Sequence, residues 1–118
     1  MPKGPLIAIV DDDESIRDTT KDLLESAGFS AVVYARAASL LKSRRLSQVS
    51  CLIADMRMPK MTGLELHQHL VASNRAIPTI FMTAYADAGD IPRNRPVLAK
   101  PFATDQLCNS VRAACAPN

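Results

Sequence analysis

Four short apolar runs in this chain of 118 residues end in polar residues whose types suit phosphate chemistry. The first run ends at Asp11 and Asp12, and a later run ends at Asp55. Two further runs end at Thr83 and Lys100. Carboxylates that lie close together repel each other unless a cation joins them, and Mg2+ prefers oxygen ligands of this kind. The residue types therefore predict an acidic Mg2+ pocket, provided that the fold gathers them.

Asp55 is the predicted phosphoryl acceptor of this pocket, because carboxylates form aspartyl phosphates. A bound metal would neutralise charge on the transferring group. Lys100 would add a second cation, and the Thr83 hydroxyl would add a hydrogen-bond donor. A single Asp after a strand is usually a turn former or a helix cap, and Asp13 is assigned to that role. The set is specific because four run ends agree.

The elements that must position these residues alternate along the chain between apolar runs and helical patterns. This order predicts an α/β fold with a parallel sheet covered by helices on both faces. Ligand sites in such sheets form beyond the carboxyl ends of the strands, which would bring the polar residues to one edge. The predicted strands span 6–10, 29–34, 51–54, 78–82 and 97–99, and the predicted helices span 14–27, 37–46, 63–71 and 104–114.

Composition and charge are those of a single globular domain over 1–118, with a core over about 6–114. Hydrophobic residues make up 47%, charged residues 22%, and the net charge is +2. This balance predicts no direct contact with nucleic acid, and no apolar stretch approaches the roughly 18 to 20 residues that would span a bilayer. The short N-terminal apolar run and three cysteines without C-x-x-C spacing predict a cytoplasmic protein. The short tail after the last helix predicts that no output domain follows.

Four motifs surround the polar run ends. They are Ile9-Val10-Asp11-Asp12-Asp13, Asp55-Met56-Arg57-Met58-Pro59 with Gly63, Met82-Thr83-Ala84-Tyr85, and Lys100-Pro101-Phe102. With these motifs the sequence resembles the receiver domain of bacterial two-component response regulators, from about Leu6 to Ala114 and most closely the FixJ/NarL-like type. The resemblance implies a flavodoxin-like (CheY-like), doubly wound sheet of five parallel strands.

The resemblance implies a metal site around the acceptor. Asp55 would take its phosphoryl group from a histidine kinase or a phosphotransfer protein, with Mg2+ as cofactor. Asp12 would bind Mg2+ directly, Asp11 would bind it through water, and the backbone carbonyl of Arg57 would supply a further ligand.

The resemblance also implies how the phosphoryl group is held and read. Lys100 would contact the acyl phosphate, and Thr83 would swing inward to bond it. The phosphoryl group would then bias a two-state loop that a downstream effector protein reads. The protein would be a phosphoacceptor signalling domain rather than an enzyme, with homodimerisation left open and no contact with a membrane.

Two departures from the receiver pattern concern the output. Only 16 residues, 84–99, lie between Thr83 and Lys100, and prolines interrupt them. The fourth helix, between the fourth and fifth strands, is therefore predicted to be truncated or missing, which suggests a stand-alone or phosphate-shuttling role. Val97 replaces an aromatic residue that often reports phosphorylation, and Tyr85 is predicted to border the site.

Two alternatives accompany this interpretation. A phosphatase of the haloacid-dehalogenase type would also carry acids after its first strand, but it needs an acidic cluster after its lysine, where only Asp105 follows Lys100. A pseudo-receiver with an unused site is favoured by Val97 and by the short fourth helix, and is opposed by the complete polar set. His67 and His69 are predicted to lie at the surface or at the helix flank.

Overall fold

The computed structural model describes residues 5–56, 60–83, 97–99 and 104–115. A short 3-10 turn, Leu46–Gln48, lies between the second helix and the third strand. The strands are β1 (Leu6–Val10), β2 (Ser30–Tyr34), β3 (Val49–Asp55), β4 (Thr79–Thr83) and β5 (Val97–Ala99), and the helices are α1 (Glu14–Ser26), α2 (Ala37–Leu41), α3 (Gly63–Ala72) and α4 (Thr104–Cys115).

The described strands form one sheet in the order β2-β1-β3-β4-β5, and every pair of neighbours is parallel. The order reverses between β1 and β3, since the chain runs from β1 outward to β2 and then returns to the other side. In α/β sheets such a reversal opens a crevice at the carboxyl ends of the two central strands. The acids that follow β1 and end β3 therefore share this crevice.

Helices cover both faces of the sheet, so the predicted α/β architecture is present. Successive strand residues point to opposite faces, and both faces of the central strands are apolar, as expected for a buried parallel sheet. One face packs against α2 and α3, and the other packs against α1 and α4. The first core includes Ala8, Val10, Leu40, Leu52, Leu66 and Leu70, and the second includes Ile7, Ile9, Leu24, Ile53, Leu107 and Val111.

Local sequence signals set several helix ends. The side chain of Asp13 accepts a hydrogen bond from the backbone N–H of Ile16, which confirms its predicted role as the N-cap of α1. Gly28 follows this helix with a φ of +97°, a conformation that favours glycine. Thr62 and Glu65 form a reciprocal capping box at the start of α3.

Two predictions from sequence are wrong. Helix α2 ends at Leu41 rather than at 46, because Ser43 joins a turn instead: its hydroxyl accepts hydrogen bonds from the Tyr34 hydroxyl (2.7 Å) and the Arg45 backbone N–H (3.1 Å). His67, predicted at the surface or at the helix flank, is buried, with 6% of its surface exposed.

His67 is held in the interior by a partner on another element. The Thr79 hydroxyl donates its hydrogen to the carbonyl oxygen of Ile77 (2.8 Å). The Nδ1 atom of His67, at 3.1 Å from the Thr79 oxygen, is therefore the donor in that pair. The His67 ring also meets the edge of Phe81 with centroids 5.9 Å apart. The histidine thus belongs to the packing between α3 and β4.

The predicted truncation of the helix between β4 and β5 and the predicted position of Tyr85 fall within 84–96, outside the described residues. Both stay predictions, as does the extent of the domain over 1–118. Among the described helices, none combines the length and apolar character needed to cross a bilayer.

Candidate functional site

Three carboxylates converge at the carboxyl edge of the sheet. One oxygen each from Asp11, Asp12 and Asp55 lies within 4.8 Å of the other two. Asp11 is fully buried and Asp55 is 6% exposed, whereas Asp12 is exposed to solvent. Two acids with little access to water, together with one that faces it, form a small acidic pocket open on one side.

The loop after β1 is held by hydrogen bonds that fix Asp11. Its backbone N–H donates to the carbonyl oxygen of Tyr34 at the end of β2 (3.1 Å). Its Oδ1 atom accepts from the backbone N–H of Asp13 (2.9 Å), and its carbonyl oxygen accepts from Nη1 of Arg17 (2.8 Å). The role of Arg17 was missed from sequence, because a basic residue in a first helical turn gives no signal of a contact back to the preceding loop.

Asp55 is the last residue of β3, and the start of α3 packs directly against its backbone. A Cβ atom added at Gly63 would lie 2.5 Å from the carbonyl oxygen of Asp55, a separation that real side chains do not adopt. The backbone N–H of Gly63 also donates to the carbonyl oxygen of Met56 (3.4 Å). Gly63 therefore permits α3 to approach the backbone of Asp55, a role that its place at the start of a predicted helix did not reveal.

The carboxyl edge of the sheet continues from β3 to β4 and β5, as the pairing of the strands shows. Asp55 pairs with Met82, and the next residue of β4, Thr83, pairs with Ala99 of β5. The backbone of Thr83 thus lies one position beyond the register partner of Asp55. Lys100, which follows Ala99, and Arg57 lie outside the described residues.

The charge at this edge of the sheet is negative, whereas the net charge of the chain is positive. Asp11, Asp12 and Asp55 concentrate three negative charges within 4.8 Å in a protein of net charge +2. Such a cluster attracts a hard cation with oxygen ligands. A buried carboxylate beside such a cation can act as a nucleophile toward phosphorus, or it can serve only as a metal ligand.

Thiol groups contribute nothing to this edge among the described residues. Burial, together with the neighbouring Cys115, raises the pKa of the Cys51 thiol to about 12. Burial also raises the pKa of Cys115. A thiol with a raised pKa is a poor nucleophile near neutral pH, so these two cysteines act as apolar side chains.

Comparison with known proteins gives a consistent match along the chain. The family model described as "Response regulator receiver domain" matches residues 7–112. The chain is 32% identical over 120 residues to the response regulator protein TodT of Pseudomonas putida, covering 95% of this chain and 52% of TodT. It is 31% identical over 116 residues to the transcriptional regulatory protein FixJ of Bradyrhizobium diazoefficiens, covering 92% of this chain and 55% of FixJ.

Solved structures show the same likeness in three dimensions. The response regulator StyR superposes with a TM-score of 0.83 at 38% identity, covering 95% of this chain and 59% of StyR. A response regulator receiver protein from Burkholderia phymatum superposes with a TM-score of 0.78 at 31% identity, covering 94% of each chain. The chain spans about half the length of the curated relatives TodT and FixJ.

Proposed function

This chain belongs to the family of response regulator receiver domains of two-component systems, and we propose that Asp55 is the residue that accepts the phosphoryl group. The observation that carries the proposal is the convergence of Asp11, Asp12 and Asp55 within 4.8 Å at the carboxyl edge of the sheet. Receiver domains of response regulators are signalling domains, which favours this interpretation over the phosphatase alternative.

The donor set of the acidic pocket fits Mg2+. Ligands of an octahedral Mg2+ lie about 2.1 Å from the ion, so two opposite ligands are about 4.2 Å apart. The oxygens of Asp11, Asp12 and Asp55 fall within 4.8 Å, close to that span. Asp12 and Asp55 would hold the ion directly, Asp11 would hold it through water, and the carbonyl oxygen of Arg57 is the proposed further ligand. When bound, Mg2+ would neutralise charge on the phosphoryl oxygens.

Asp55 performs the covalent step. One oxygen of its carboxylate attacks the phosphorus of a phosphohistidine on a histidine kinase or a phosphotransfer protein. The new P–O bond forms as the P–N bond breaks, and the histidine nitrogen leaves with the electron pair. Burial of Asp55 keeps competing water from most of its surface, while exposed Asp12 leaves one side of the pocket open to the donor. Lys100 and Thr83 are the proposed partners of the phosphoryl oxygens.

The proposed output follows from the position of Thr83. Its backbone ends β4 beside the register partner of Asp55, so a change at the acceptor can pass to the segment that follows. We assign the reading of that change to a downstream effector protein. Val97 stands in β5 where related receivers often have an aromatic residue that reports phosphorylation, and the helix between β4 and β5 is proposed to be short. The output of this chain would therefore differ from one that uses such an aromatic residue.

The proposal is tested by phosphorylation with a small donor. The protein is incubated with acetyl phosphate and Mg2+, and its intact mass is measured with time. We expect a gain of one phosphoryl group, which disappears in Asp55→Asn and in the presence of EDTA. Asp18→Asn is the matched control, because it removes an exposed carboxylate of α1 outside the pocket.

Three results would contradict phosphorylation at Asp55. If folded wild-type protein binds Mg2+ but gains no phosphoryl group from acetyl phosphate or phosphoramidate, the chain is a pseudo-receiver and the proposal fails. Repeated hydrolysis of p-nitrophenyl phosphate would instead identify a phosphatase. A gain that persists in Asp55→Asn would place the acceptor elsewhere.

A further inference from the structure

A cavity of about 400 Å3 lies at the opposite edge of the sheet from the acidic pocket. Its walls come from the turn between α2 and β3 and from the segment between α3 and β4. Val49, which begins β3, lines this cavity, whereas Asp55 ends the same strand. Six residue steps separate them, so the two sites are roughly 20 Å apart. We call it the basic cavity, lined by Ser43, Arg44, Leu46, Ser47, Val49, Arg75, Ala76 and Ile77.

The basic cavity has an apolar floor and a positively charged rim. Leu46 and Ile77 are 6% and 8% exposed and belong to the core beneath α2 and α3. Arg44 and Arg75 are exposed. No acidic residue among those that the structure describes lines the cavity, and its two contributing segments lie in stretches without Asp or Glu, 26–54 and 66–86. An apolar floor beside two guanidinium groups favours a ligand with an apolar body and an anionic group.

The two arginines are carried by hydrogen-bonded turns rather than by open loops. Arg75 follows Asn74, which has a φ of 61°, and its backbone N–H donates to the carbonyl oxygen of Leu70 (2.8 Å) in a Schellman-type helix end. Arg44 lies in the turn where the backbone N–H of Leu46 donates to the carbonyl oxygen of Ser43 (3.3 Å). Fixed backbones lower the ordering cost of binding at these positions.

Three side chains that line the cavity can still pair with a ligand. Within the described part of the chain, neither Arg44 nor Arg75 forms an ion pair with an acid. The Ser43 hydroxyl oxygen already accepts two hydrogen bonds, from Tyr34 and from the backbone of Arg45. A hydroxyl has two lone pairs and one hydrogen, so what Ser43 has left to offer is a donor. All three side chains therefore favour a ligand that accepts hydrogen bonds.

We propose that the basic cavity is a second ligand site, which binds a small organic carboxylate with an apolar body. The carboxylate would lie between Arg44 and Arg75, whose planar groups match its geometry, and the apolar body would cover Leu46, Val49 and Ile77. The site uses none of the residues of the acidic pocket. The proposal therefore stands or falls independently of phosphorylation at Asp55.

The test uses two carboxylates and their neutral counterparts as probes. Benzoate and 2-naphthoate are titrated into 15N-labelled, unphosphorylated protein without Mg2+, and backbone amide shifts are followed. We expect saturable shifts confined to the amides of 43–49 and 75–77. Benzamide and 2-naphthamide, which have the same shapes without the charge, should bind at least about tenfold more weakly, because hydrogen bonds to a charged group are the stronger ones.

Exposed-residue variants assign the binding to the cavity. Arg44→Gln and Arg75→Gln should each weaken binding of 2-naphthoate by about tenfold. Arg45→Gln is the matched control, since it removes an equal charge from the adjacent position, which does not line the cavity. Asp55→Asn should bind the probe as the wild type does. Preserved dispersion of the amide spectrum shows that each variant is folded.

Four outcomes would overturn the proposal. The first is the absence of saturable shifts with both carboxylates. The second is equal binding of the neutral amides, which would describe an apolar cleft without a role for the arginines. The third is an equal loss in Arg45→Gln, which would describe diffuse attraction to a basic surface. The fourth is concentration-dependent shifting of the same amides without any probe, which would assign the cavity to a second copy of this chain.

Discussion

The two edges of the sheet are opposite in charge and alike in construction. At the carboxyl edge, Asp11, Asp12 and Asp55 crowd three carboxylates within 4.8 Å. At the amino edge, Arg44 and Arg75 border a cavity that no acid in the described part of the chain lines. Strand β3 runs from one edge to the other, and its middle is entirely apolar and buried. The acidic cluster and the two cavity arginines thus lie at opposite ends of β3.

This separation shows that each edge is suited to a different counterpart. Like charges held close together raise the free energy of the folded state unless an ion of opposite sign joins them. The carboxyl edge is therefore suited to a cation, and the amino edge to an anion. The net charge of +2 hides this arrangement, because the opposite groups nearly cancel in the sum.

The largest expected effect comes from adding one methyl group at the carboxyl edge, and the same addition at the amino edge serves as its control. Gly63→Ala places a Cβ against the Asp55 backbone, where 2.5 Å separates it from the carbonyl oxygen. We expect a loss of up to about 3 kcal/mol in the free energy of unfolding, together with at least a tenfold slower phosphorylation by acetyl phosphate. Urea denaturation and intact-mass kinetics measure the two quantities.

Gly28→Ala is the matched control at the amino edge. Gly28 has a φ of +97°, but an added Cβ meets no atom within 4 Å. The cost is the backbone strain alone, about 1 to 2 kcal/mol, and the phosphorylation rate should not change. Equal slowing in both variants would show that the phosphorylation rate depends on the stability of the protein rather than on the approach of α3 to Asp55.

The next effect concerns the cation at the carboxyl edge. Mg2+ at a hundredfold excess over its Kd should stabilise the protein by about 2.7 kcal/mol, measured as a rise of Tm over that in EDTA. Asp12→Asn should lose most of this rise, because it removes a carboxylate of the cluster. Arg75→Gln, at the other edge, should keep it. If the rise survives in Asp12→Asn, the ion lies outside the acidic pocket.

The smallest expected effect is a change of stability with pH that arises from Cys51, in the uncharged middle of β3. Burial raises the pKa of Cys51 from its ordinary value of 9.0 to about 12. The folded chain therefore keeps this proton at a pH where the unfolded chain has lost it, so the stability contribution is complete below pH 9 and is lost as the pH rises toward 12. Stability should fall by up to about 1.4 kcal/mol per pH unit above pH 9 from this group.

Cys51→Ala isolates that slope in urea denaturation between pH 8 and pH 10.5. The variant should start less stable than the wild type and lose less stability as the pH rises. Ile53→Val is the control, since it trims a buried side chain of the same strand and the same face without removing a thiol. Parallel pH profiles for Cys51→Ala and the wild type would contradict the prediction.

Much of the fold could be predicted where the signal is local. The apolar run 6–10 coincides with β1, and the caps of α1 follow from Asp13 and Gly28, because these signals act within a few residues. The two wrong predictions, for the end of α2 and for His67, concern residues whose hydrogen-bond partners lie far away in the sequence. Helix α2 stops early because Ser43 bonds to Tyr34 on β2, and His67 is buried because its partner Thr79 lies on β4.

The sequence by itself determined the types of charged residue that each edge of the sheet carries. It places acids after β1 and at the end of β3, and it leaves the stretches 26–54 and 66–86 without acids. Only the tertiary structure decided which residues meet. The parallel order β2-β1-β3-β4-β5 gathers the acids within 4.8 Å, and the same order brings Arg44 and Arg75 to one cavity. Strand order and register arise from packing between residues far apart in the chain, which a local pattern does not encode.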